Sequence, residues 1–327
     1  MSGIENWTEK TKPLNPKVRR TIGLLRRYAS ALLGVAMTAL AIFLLYRMLR
    51  GYSAADLAAA MAAVSWPHIA GSFIFAAGSY FCLTLFDYFG LHYAGKPLPY
   101  RKAALASFVS LSLGHTIGLA ALSSGTVRYR YYARWGLGIE EIAKVILFCG
   151  VTVGLGLAAL AAIALIAAPA SVQRITGLSG AQVAALAGAC LLFPCVYAGL
   201  AAVARKEIRL RAWSFTMPSL GLAIAQILVG TLNFACVAAC LHQALTGISQ
   251  VDFASTVSAY VAANVATLIT HVPGGLGVVE TVVQHLLPSK NIIGPLLVFR
   301  FAYFLVPLAL GAILLAISEA MLETRRD

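Results

Sequence analysis

The chain has 327 residues, 60% of them hydrophobic and 11% charged, which is more apolar surface than a soluble fold can hide. Its formal net charge of +13 would suit nucleic acid in a soluble protein, but the basic residues sit in short clusters between long apolar runs. That distribution excludes a nucleic-acid partner and sets an all-α, polytopic integral membrane protein whose basic side faces the cytoplasm.

Residues 1–27 form a basic cytoplasmic arm with Lys10, Lys12, Lys17, Arg19, Arg20, Arg26 and Arg27, a charge set suited to an anionic inner leaflet. The transmembrane domain follows over 28–319, and 320–327 is a cytoplasmic tail carrying Arg325 and Arg326. A helix needs roughly 20 apolar residues to cross the hydrocarbon layer. The first such run covers 28–46, and an Ala-rich stretch at 53–66 lies on the outer surface. A second span over 67–93 returns to Lys96, Arg101 and Lys102, with Pro97 and Pro99 marking the turn. Asp87 lies near the cytoplasmic end of that span, where it pairs with Arg101 or is hydrated.

The apolar run at 103–122 ends in Ser-Ser-Gly and is followed by Arg128, Tyr129, Arg130, Tyr131, Tyr132 and Arg134. A full crossing would put three arginines outside, so the segment reads as a re-entrant hairpin that dips in from the cytoplasm and returns. Spans follow over 142–168, 181–203 and 218–245, with Arg174 in an outer loop and Arg205, Lys206, Arg209 and Arg211 inside. The stretch 253–287 is broken by Pro-Gly-Gly-Leu-Gly at 273–277 and reads as a second re-entrant hairpin, entering from outside. A last span covers 292–318. The expected architecture is about six full spans plus two re-entrant helical hairpins. Under it, all of the 25 basic residues except Arg47, Arg50, Arg174, Lys290 and Arg300 fall on the cytoplasmic side.

The hairpins resemble each other. Ala-Ser-Phe-Val-Ser at 106–110 matches Ala-Ser-Thr-Val-Ser at 254–258, and Gly125 to Arg128 aligns with Gly277 to Glu280. Because the two enter from opposite faces, a true repeat would be an inverted one, a construction common in transporters.

The candidate substrate-binding or gating residues follow from this layout. Pro273, Gly274, Gly275 and Gly277 leave backbone groups unpaired at depth, which suits either a binding or gating loop at a polar cavity or a tight packing turn. Glu280 follows directly and needs a partner, with Arg128 and Arg300 as candidates. Arg128, Arg130 and Arg134 would offer guanidinium forks to headgroup phosphates, or simply anchor the chain among interfacial tyrosines. Gly125 precedes them. His115 and His271 read first as hydrogen-bonded packing groups within apolar hairpins, and His115 is kept among the candidates. The six cysteines lie in apolar runs without a C-x-x-C pair, so neither a disulfide framework nor a metal site is indicated. Catalytic motifs such as H-E-x-x-H, G-x-S-x-G and the P-loop do not occur, no cofactor is called for, and enzyme status is left open with the balance against it.

Several of these residues together resemble a known family. Gly-Lys-Pro-Leu-Pro-Tyr at 95–100, Gly114-His115, Ser-Ser-Gly-Thr-Val-Arg-Tyr-Arg-Tyr-Tyr at 123–132 and Trp135-Gly136-Leu137 look like the membrane domain of lysyl-phosphatidylglycerol synthase/flippase proteins (MprF type). Pro-Gly-Gly-Leu-Gly-Val-Val-Glu at 273–280 is similar to the hallmark shared with YbhN-like relatives, and Phe-Arg-Phe-Ala-Tyr at 299–303 with Pro307 resembles the last-span pattern. The resemblance implies a flippase-like domain in the bacterial inner membrane that moves aminoacylated phosphatidylglycerol or another phospholipid between leaflets. The family's soluble synthase half is missing before the chain stops at Asp327, which implies translocation without synthesis. An intramembrane lipid-modifying transferase, or a membrane partner of a separately encoded lipid-headgroup enzyme, stands as the alternative. Membrane lipids are the expected partners, both termini are expected in the cytoplasm, and a homo-oligomer is left open.

Overall fold

In the computed structural model the described residues are 64–327 except 118–119, 204–207, 211–212, 248–249, 288–291 and 325–327, with isolated positions 43, 53, 55, 58, 59 and 62 before them. The basic arm, the expected span at 28–46, most of the outer stretch at 53–66 and the pair Arg325-Arg326 lie outside the described residues.

The helices in chain order are α1 Trp66–Tyr93, α2 Tyr100–Ile117, α3 Ala120–Arg134, α4 Ile139–Ala167, α5 Pro169–Thr176, α6 Gly180–Val203, α7 Leu220–Thr246, α8 Phe253–Thr270, α9 Val278–Leu286, α10 Ile293–Arg300 and α11 Val306–Thr324. A 3₁₀ turn, Pro273–Gly275, separates α8 from α9, and a π turn, Phe301–Leu305, joins α10 to α11. Among the described residues six helical segments are long and apolar enough to cross a membrane: α1, α4, α6, α7, α8 and the continuous run Gly294–Glu319. Five of these are expected spans. The sixth, α8, was expected as a hairpin arm that turns back part-way, yet its 18 residues rise about 27 Å, close to a full crossing.

One element departs from the all-helical expectation. Ile208–Leu210 (β1) pairs antiparallel with Trp213–Phe215 (β2) inside the basic loop before α7. Alternation of apolar and polar residues at 208–215 suits a short pleated pair better than helix.

The bundle is apolar on its surface as well as in its core. Ile74, Phe81, Leu147, Leu192, Leu228, Ile269 and Ile313 are exposed, as spans that face acyl chains require, while Ser72, Ser79, Asp87, Thr152, Gln226 and Asn233 are buried between helices. The buried groups act as interhelical ties: Ser72 donates to the carbonyl of Cys240 at 3.1 Å, Ser107 to that of Leu83 at 2.8 Å, and Gln226 Nε2 to Thr152 Oγ1 at 2.9 Å. Helices α1 and α7 pack along one another at the centre, with α4 against both.

The tightest crossing is between α4 and α7 at Gly156 and Gly230. A Cβ on Gly156 would lie 2.2 Å from the carbonyl carbon of Gly230, and one on Gly230 would lie 2.7 Å from the Thr152 carbonyl oxygen. Only hydrogen side chains permit that approach. Gly156→Ala is therefore expected to lower unfolding stability in detergent by roughly 1–3 kcal/mol, the usual cost of overpacking. An unchanged thermal midpoint would show that the crossing relaxes freely.

In both expected hairpins the two helical arms pack together, α2 on α3 and α8 on α9. The hairpins also touch, because the 3₁₀ turn at the tip of the second packs against α2 of the first.

Candidate functional site

The break in the second hairpin is built by backbone conformations that L side chains avoid. His271 (φ 53°), Gly274 (61°), Gly275 (58°) and Gly277 (81°) all lie in the left-handed region, and a Cβ on Gly275 would meet Thr267 Oγ1 at 2.9 Å. Turning the chain this way frees carbonyls that no helix satisfies. Arg300 takes them: Nη1 donates to the Gly274 oxygen and Nη2 to the Gly275 oxygen, each at 3.0 Å. The same guanidinium pairs with Glu280 through Nη2 to Oε2 at 2.7 Å and through Nε to Oε1. Glu280 in turn accepts the Gly277 backbone N–H at 2.9 Å, closing the first turn of α9. Arg300 is thus the partner that Glu280 needs, rather than Arg128. It also meets two of the carbonyls that the 273–277 loop leaves free. The Arg300 side chain is 3% exposed and that of Glu280 25%.

Arg300 directly precedes the π turn, in which one extra residue per turn rotates the following side chains. Tyr303 lies there and joins a polar and aromatic layer at the middle of α1. Ser79 donates to Asn233 Oδ1 at 2.7 Å and lies 3.2 Å from the Tyr303 hydroxyl, while Tyr80 donates to the Tyr303 carbonyl at 3.4 Å. The ring of His115 stacks on Tyr303 with centroids 6.1 Å apart, and its Nδ1 is buried without a hydrogen-bond partner. His115 therefore sits at a junction of α1, α2 and the π turn, whereas His271 is exposed in the hairpin break.

A second buried ion pair lies about 9 Å from the C-terminal end of α1, six residues before Tyr93. Arg128 binds Asp87 with both fork arms, Nε to Oδ1 at 2.8 Å and Nη2 to Oδ2 at 2.7 Å, and its Nη1 donates to Ser124 Oγ at 2.9 Å. The Tyr132 hydroxyl adds a third donor to Asp87 at 2.6 Å. The exposures of the two side chains are 3% and 0%. This corrects the expectation for Asp87: it neither pairs with Arg101 nor is hydrated, because helix α3 delivers Arg128 to it. Gly125 lies inside α3 and is buried, where an added Cβ would lie 3.3 Å from Ile146 Cδ1, so α3 packs close to α4 there.

One turn on, Arg130 and Arg134 converge on Glu319 near the end of α11. Arg130 donates through Nε (2.9 Å) and Nη2 (2.5 Å), and Arg134 through Nη1 (2.9 Å) and Nη2 (3.0 Å). Tyr131 reaches Ser318 beside them at 2.7 Å. All three arginines are therefore held by carboxylates rather than presented freely at the interface. Glu319, Tyr132 and Asn233 were not singled out from the sequence. Glu319 stands one residue past the expected end of the last span, at 318, where an acid beside the interface gives no signal of a buried partner.

The site thus comprises two hairpins, each pinned to a long span by a buried Arg–carboxylate pair of opposite polarity. The α3 arm carries Arg128 toward Asp87 of α1, and the α9 arm carries Glu280 toward Arg300 of α10. No group of three metal-ligating side chains occurs among the described residues.

A family model described as lysylphosphatidylglycerol synthase TM region matches residues 31–311. The chain is 28% identical over 307 residues to slr0712, an uncharacterized protein of a Synechocystis strain, across 93% of this chain and 95% of the relative. It is 26% identical over 254 residues to the inner membrane protein YbhN of Escherichia coli, across 76% and 79% of the two chains.

Proposed function

Because this chain belongs to the lysylphosphatidylglycerol synthase transmembrane-region family, we propose that it moves a phospholipid between the leaflets of the bacterial inner membrane. Aminoacylated phosphatidylglycerol is the first substrate to test. The observation that carries this reading is the pair of hairpins, one bearing Arg128 and the other Glu280 in ion pairs, beside a buried polar layer at Ser79, Asn233 and Tyr303. Polar groups at such depth are costly unless they serve an ion or substrate route. In this reading both hairpins are re-entrant and belong to an inverted repeat, with N- and C-termini in the cytoplasm. Rocking one hairpin against its span would open the seam to one leaflet at a time, so that a headgroup passes among polar side chains while its tails stay in lipid. Arg130 and Arg134 mark the cytoplasmic mouth. Arg128, with all three of its nitrogens engaged, acts as a hinge pin and not as a receptor.

Purified protein in liposomes with a labelled lipid tests this. More of the label is expected to become reachable by a membrane-impermeant quencher than in protein-free vesicles, and Arg300→Ala is expected to abolish the gain. No gain with phosphatidylglycerol, its lysyl ester or phosphatidylethanolamine would overturn transport. Appearance of a chemically altered lipid would point to a transferase, and co-purification with a headgroup enzyme would point to a partner of a separate synthase.

A further inference from the structure

Glu319 is saturated and its arginines are not. A carboxylate offers about four lone-pair positions on two oxygens, and Arg130 and Arg134 fill them with four N–H donors. Two guanidinium charges against one carboxylate leave a surplus positive charge. They also leave a surplus donor, because Arg130 Nη1 is buried without a hydrogen-bond partner, in a side chain that is only 4% exposed. Leaving such a donor unpaired is costly. The site is therefore built for an acceptor with more oxygens than a carboxylate has.

From this we propose that Glu319 stands in for a lipid phosphate at the Arg130–Arg134 pair, and that a phospholipid headgroup displaces it on entering from the inner leaflet. A phosphate brings extra acceptor oxygens in the fork geometry that arginine prefers. Glu319, with a side chain 23% exposed, has a path to water, and the bonds that the phosphate makes to the same two forks offset those the carboxylate gives up. Displacement also cuts the ion-pair tie between α3 and the end of α11, while the contact of Tyr131 with Ser318 stays. Substrate arrival thereby loosens the first hairpin from the last helix. This deepens the transport reading by naming the chemistry at its cytoplasmic mouth, and it rests on that reading only for the direction of entry.

The test counts phosphatidylglycerol retained per protein in nanodiscs of phosphatidylcholine doped with it, for wild type, Glu319→Gln and Arg130→Gln/Glu319→Gln. Removing the internal competitor is expected to tighten retention about ten-fold, the worth of one charge-assisted bond, and the double variant is expected to lose the gain. Equal retention by wild type and Glu319→Gln would overturn the proposal. So would displacement of the lipid by inorganic phosphate alone, which would make the site one for the free ion. Because Glu319→Gln could unfold the bundle, Glu319→Asp serves as the second variant, its shorter side chain being expected to compete less well and to raise retention partway. The liposome assay is scored separately. Transport without tighter retention sinks this inference alone, and tighter retention without transport sinks only the transport reading.

Discussion

Arg300→Ala is expected to be among the most damaging single substitutions in the described part of the chain. It strands Glu280, removes the donors to the Gly274 and Gly275 carbonyls, and deletes the contact of the guanidinium with the Phe304 ring at 5.6 Å. Hydrogen bonds within membranes average only about 0.6 kcal/mol each, so the bonds alone account for roughly 2 kcal/mol. A carboxylate deprived of its partner adds to this, and a total of about 3–5 kcal/mol follows, toward its lower end because Glu280 reaches water on one side. Arg300→Lys keeps the charge but not the fork, and it is expected to hold Glu280 while releasing at least one carbonyl. Denaturant titration in micelles measures the first quantity. The second is read by thiol labelling of His271→Cys, an exposed position that already carries a side chain and whose labelling is expected to rise sharply in Arg300→Ala and modestly in Arg300→Lys. Wild-type values in both assays would mean that the hairpin break holds without its clamp.

How much of this was legible beforehand depends on whether a feature is local. Proline followed by closely spaced glycines breaks a helix wherever it stands, so the 273–277 break and the need of Glu280 for a cation could be read from neighbouring residues. The long spans were legible for the same reason, since length and apolarity suffice. The Asp87–Arg128 pair was not, because 41 residues separate its members and only the packing of α3 on α4, and of α4 on α1, decides that they meet. The turn of the first hairpin was given no residue from the sequence, because small residues such as Ser-Ser-Gly in a membrane bundle also let helices approach, and the second arm begins already at Ala120. Arg130 and Arg134 were correctly marked as a basic cluster. What the sequence concealed is that a carboxylate from the far end of the chain, Glu319, already occupies them.

The Asp87–Arg128 pair allows structure and mechanism to be separated. Asp87→Leu alone is expected to cost roughly 3–5 kcal/mol, because it leaves Arg128 buried and uncompensated among apolar neighbours. The combination Asp87→Leu/Arg128→Met/Tyr132→Phe removes both charges and the hydroxyl that also served Asp87, and buried pairs replaced by well-packed apolar groups are often no less stable. The triple variant is therefore expected to recover most of the stability lost by the single one. Its transport activity is expected to stay absent, because a hairpin that rocks against α1 needs a connection that can be exchanged, and apolar packing seats it permanently. Two measurements decide the matter, the unfolding midpoint in micelles and the leaflet assay in liposomes. A triple variant that is stable and inactive assigns the pair to the movement of the first hairpin. One that is stable and fully active reduces the pair to a staple, and leaves the second hairpin, with Glu280 and Arg300, to carry the exchange by itself.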